Sequence, residues 1–121
     1  MEPASTCVGV VVSHTQLSVI EHPTGMECIF PNTGAGIAAL AAHLQTVHPR
    51  AIAVESMGGD QWPVVGSVVD AMLPVIVVNP RRVRDFVLET GLLTHEAMFS
   101  ITNAIEAGML ARFAETLRAT V

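Results

Sequence analysis

The sequence predicts an α/β fold, a single domain on a five-stranded mixed sheet with helices on both faces. Two observations carry this. Three segments of strand character follow one another closely, and later strand segments alternate with segments of helical spacing. The first segment, Cys7–Val12, is apolar throughout, as a strand covered on both faces must be. The chain of 121 residues is half hydrophobic and 14% charged, enough for one core and too apolar for disorder.

After Cys7–Val12, a short turn at Ser13, His14 and Thr15 leads to residues 16–21. These alternate apolar and polar, as in a half-buried antiparallel strand. A turn at His22-Pro23-Thr24-Gly25 precedes a third strand at 26–30, completing a meander. Asn32 or Thr33 then caps a helix whose apolar face is Ile37, Leu40, Ala41, Leu44 and Val47. His48-Pro49 stops it. Residues 50–55 form a fourth strand, and 61–72 a helix with Pro63 in its first turn. Residues 74–79 form a fifth strand. Pro80 opens a helix to about Thr90, ended by Gly91. Residues 92–101 fit no single pattern, and Thr102 or Asn103 caps a last helix through Leu117.

A meander followed by right-handed crossovers gives the strand order 3-2-1-4-5, with Cys7–Val12 central. This is the ribonuclease-H-like layout. Two strand ends then deliver polar residues to one region: Glu55 with Ser56-Met57-Gly58-Gly59, and Asn79-Pro80 with Arg81, Arg82 and Arg84.

Five ordered motifs place the chain further. They are Val8-Gly9-Val10-Val11-Val12-Ser13, Phe30-Pro31-Asn32-Thr33-Gly34-Ala35-Gly36, Glu55-Ser56-Met57-Gly58-Gly59, the run from Val77 to Phe86 and the run from Leu110 to Glu115. Together they resemble the N-terminal, RuvC-like domain of the DEDD-type insertion-sequence transposases. That family includes the Piv pilin-gene invertases and the bridge-RNA-guided recombinases. The resemblance covers nearly the whole chain. It implies DNA transposition or site-specific recombination, with contacts to DNA or to a guide RNA. It also implies Mg²⁺ held by four carboxylates, and a separate C-terminal domain bearing a serine, which these residues do not include.

The chain departs from the family at the acids. Val11 stands where the resemblance expects the first Asp. Glu55 keeps the second acid. In Thr102-Asn103-Ala104-Ile105-Glu106-Ala107, Asn103 replaces one Asp and Glu106 the other, and the stretch before it is longer than the family's. Two-metal phosphodiester chemistry needs hard oxygen ligands holding ions about 3.5–4 Å apart. Valine offers no oxygen. Glu55 and Glu106 could therefore hold at most one metal ion weakly, and the expectation is a degenerate site, inactive alone. Asn103 and Glu106 also read as a plain helix cap and first-turn acid, and Glu55 as a solvated strand-end acid.

Net charge is −5, which excludes nucleic-acid binding by bulk charge and leaves the local Arg81, Arg82, Arg84 cluster for phosphate contact or for a solvated face. All five histidines read as surface or turn residues, without metal spacing. Cys7 and Cys28 read as buried free thiols. Neither a signal peptide nor a membrane-length apolar run is seen, so the expectation is a cytoplasmic protein. The competing class is a decayed or domesticated fragment serving as a protein-interaction module. A weaker third is a nuclease using Asp60 or Glu96. The apolar residues within 92–101 add the expectation of a homodimer built on that segment and the last helix.

Overall fold

The computed structural model describes residues 6–56, 59–91 and 103–119. Five strands, β1 (Cys7–Val12), β2 (Gln16–His22), β3 (Glu27–Pro31), β4 (Ala51–Ser56) and β5 (Val75–Val77), form one sheet in the order β3-β2-β1-β4-β5. The β1–β2 and β2–β3 pairings are antiparallel, whereas β1–β4 and β4–β5 are parallel. The expected order and the central place of β1 are both found.

Each face of the sheet has its own core. On one side Val8, Val10, Val12, Ile52 and Val54 pack against α1 (Gly34–Val47) and α2 (Trp62–Asp70), through Leu40, Leu44, Val64 and Val68. On the other, Cys7, Val11, Ala51 and Ala53 pack against α3 (Pro80–Thr90) and α4 (Asn103–Ala119), through Val83, Val87, Leu110 and Phe113. This is why β1 is apolar at every position: alternate residues enter different cores.

The helix ends follow local chemistry. The Thr33 hydroxyl accepts a hydrogen bond from the Gly36 N–H at 3.0 Å, and the Asn79 side chain accepts from the Arg81 N–H at 2.9 Å. Gly91 closes α3 at φ 74°, in the left-handed region that glycine enters without penalty. The expected helix over 61–72 is shorter. It ends at Asp70, Ala71 caps it, and Met72 turns to φ 61°. The chain must reverse there to deliver Leu73 and Pro74 to β5, and helical spacing does not report that demand. The ambiguous residues 92–101 lie outside the described residues.

Gly9 sets the packing of α4. A Cβ there would overlap the Ala107 carbonyl and the Ala111 backbone nitrogen, so the helix backbone rests directly on β1. At the other end of the crossing, Glu115 Oε2 meets His22 Nε2 at 2.9 Å, and His22 is the cross-strand partner of Cys7. Helix α4 therefore runs antiparallel to β1.

Candidate functional site

The site is built from one row of the sheet. Val11 is the register partner of Ser18 on β2 and of Glu55 on β4, so the three side chains stand side by side on the α3/α4 face. All are buried, Glu55 at 1% exposure, Val11 at 2% and Ser18 at 1%. An acid buried this deeply on a strand is exceptional, because removing a carboxylate from water is costly. The solvated strand-end reading of Glu55 is thereby corrected.

The direction of α4 brings its start to the same place. Val11 lies two residues past Gly9, about 6.6 Å at a strand's rise. Asn103 lies four residues before Ala107, about 6 Å at a helix's rise. The first turn of α4, with Asn103 and Glu106, thus draws level with the Val11–Glu55 row. The side chains of Asn103 and Glu106 lie outside the described residues.

Among the described residues, all four helices open at this edge. Strands β1, β3, β4 and β5 run the same way, and α1, α2 and α3 follow the ends of β3, β4 and β5. Helix α4 joins them by its antiparallel run over β1. Four helix N-termini carry partial positive charge to one side of the molecule. Arg81, Arg82 and Arg84 stand there too, in the opening turns of α3, and all are exposed. Arg50, by contrast, precedes β4 at the opposite edge. Half of the chain's six basic residues thus gather beside Glu55. The Arg82 guanidinium lies 5.7 Å from the centre of the Phe113 ring, and Phe86 meets Phe113 edge-on at 5.4 Å. These contacts tie α3 to α4, and Arg81 and Arg84 stand exposed on the same turn.

The residues present do not fit a two-metal centre. The middle of the row is the hydrocarbon of Val11, where a bridging oxygen would be needed. Among the described residues, no group of three or more His, Cys, Asp or Glu is placed to hold a metal ion. Asp60 is half-buried beside the edge, and Glu96 lies outside the described residues.

No family model matches the chain, and no curated protein matches it. Among solved structures, it is similar to the ROK hexokinase from Thermus thermophilus, with a TM-score of 0.51 at 15% sequence identity. The likeness is one of fold. It covers 69% of this chain and 37% of that one, so this chain spans well under half of the hexokinase. A five-stranded mixed sheet in this order is compatible with a ribonuclease-H-like fold.

Sequence reasoning misplaced some residues. His22 was expected in a turn and His43 as a surface or turn residue, yet His22 ends β2, and both are half-buried and join helices to β2, His22 to Glu115 and His43 to Glu21. Only the polar positions Glu21 and His22 at the end of β2 could have signalled them. Cys7 and Cys28 are both free, but Cys28 is half-buried rather than buried, because it lies on the edge strand β3. His95 lies outside the described residues. Among the described residues no helix is long and apolar enough to cross a membrane.

Proposed function

We propose that this chain is a RuvC-like domain of a DEDD-type transposase whose acidic centre has decayed, and that it engages nucleic acid without cutting it. One observation carries the reading. Val11 and Glu55 are direct partners on adjacent parallel strands, with the start of α4 level with them. The transposase resemblance assigns its acids to those same positions. The edge beside them gathers four helix N-termini and three exposed arginines, a setting that favours phosphate. In this reading Arg81, Arg82 and Arg84 contact the backbone of DNA or of a guide RNA. Glu55, Asn103 and Glu106 mark vestigial ligand positions. Mg²⁺, which the family would use, finds at most one weak place, between Glu55 and Glu106, and strand cleavage is lost with the oxygen at Val11.

Fluorescence anisotropy with labelled duplex and branched DNA, with and without Mg²⁺, tests this. Salt-sensitive binding unaffected by metal, with intact substrate on a gel, is expected. Metal-dependent cleavage would overturn the decayed centre, and absence of binding at low salt would overturn nucleic-acid engagement.

A second reading, a self-associating interaction module, is favoured by the exposed apolar side chains Trp62, Val69 and Met72 along and just past α2. Their exposures, 61%, 52% and 89%, are high for a surface with few charges.

A further inference from the structure

On the opposite face of the sheet from Glu55, three reactive side chains meet where α1 crosses the β2–β3 edge. His43 Nε2 lies 3.2 Å from Glu21 Oε2 and 3.8 Å from Cys28 Sγ. Glu21 comes from β2, Cys28 from β3 and His43 from α1, so the meeting is made by tertiary packing. The imidazole leans against the Phe30 ring, with centres 5.9 Å apart, which limits its swing. The cluster is shielded but reachable. The His43 side chain is 27% exposed, that of Glu21 is 11% exposed, and β3 is the last strand of the sheet. The proposed nucleic-acid edge does not use these groups.

We propose that Cys28 is a thiol-exchange site, modified by low-molecular-weight disulfides of the glutathione class, with His43 as its proton acceptor and Glu21 as the group that steadies His43. Thiol–disulfide exchange needs a thiolate. Here His43 rests with its proton on Nδ1, so that Nε2 can take the sulfur proton, and the N–H so formed donates to Glu21 Oε2. The Cys28 sulfur then attacks one sulfur of the disulfide. A Cys28–S–S–R bond forms and the original S–S bond breaks. The departing thiolate takes up the proton that Cys28 released. Cys28 is oxidised and the disulfide is reduced to one thiol, so electrons and protons balance. Cys7 has no such access, being 1% exposed inside the α3/α4 core.

The test incubates the full chain with oxidised glutathione and follows adduct formation by mass spectrometry, with peptide mapping to locate it. The expected result is one adduct, on Cys28, forming roughly tenfold or more faster in the folded chain than at the same cysteine in urea. His43→Gln, checked for a cooperative melt, should reduce the folded rate to that of the unfolded chain. A folded rate at or below the unfolded one, or a rate unmoved by His43→Gln, would overturn the proposal. Should that variant fail to fold, the folded-against-unfolded comparison decides alone.

Discussion

At the scale of single residues, the valine at position 11 has the largest chemical consequence for the proposed decayed centre. Val11 sits between Ser18 and Glu55 in one cross-strand row, so a carboxylate there would stand beside that of Glu55. Two neighbouring carboxylates attract a divalent cation, and an acid at the start of α4 would add a third donor. The double variant Val11→Asp with Asn103→Asp should bind Mn²⁺ measurably more tightly than the parent by isothermal titration. An unchanged isotherm would mean that the first turn of α4 does not face the row. Under the proposed function the arginines act differently, through phosphate charge. Arg81→Ala or Arg84→Ala should weaken DNA binding about equally for all sequences and reduce the salt slope by about 1 each. A loss confined to one sequence would assign them to base contacts instead.

At the scale of elements, the seat of α4 on β1 organises the site. The helix backbone touches β1 at Gly9, and a side chain there has no room. Gly9→Ala should destabilise the fold by about 1–3 kcal/mol, the usual cost of overpacking, measured by urea denaturation. The same variant should shift the first turn of α4 away from Val11 and Glu55. A wild-type midpoint would contradict the close approach. Capping of α1 is a smaller matter. Thr33→Ala removes the acceptor for the Gly36 N–H and should cost about 1 kcal/mol. Much of this level was legible in the chain. Strand alternation, the Thr33 and Asn79 caps and the Gly91 stop are local signals, and each appears where its chemistry places it. The early end of α2 was not legible, because the reversal at Met72 serves the distant pairing of β5 with β4.

At the scale of the whole molecule, the open question is association. The homodimer expected from residues 92–101 rests on a segment outside the described residues. The last helix, its other expected contributor, spends Ala107, Leu110, Phe113 and Ala114 on the sheet. The exposed face of α2 is a separate apolar surface. Light scattering at micromolar concentration should show a dimer. If it does, Phe99→Asp with Ile101→Asp and, separately, Trp62→Asp with Val69→Asp will tell which surface holds it, since only the variant in the interface should yield monomer. A monomeric parent would remove both.

The sequence by itself determined the elements and their order. Hydrophobic period, helix caps and residue identity are properties of a few neighbouring positions, and they need no partner to be read. Only the tertiary structure decided that Glu55 is buried, that α4 runs back along β1, and that His43 meets Glu21 and Cys28. Each of these joins groups distant in the chain: Val11 with Glu55, Gly9 with Ala107, and three residues from β2, β3 and α1. Such contacts depend on the angle and depth at which helices settle on the sheet. Those are set by side-chain volume across the whole core, Gly9 included, and not by any one segment's pattern.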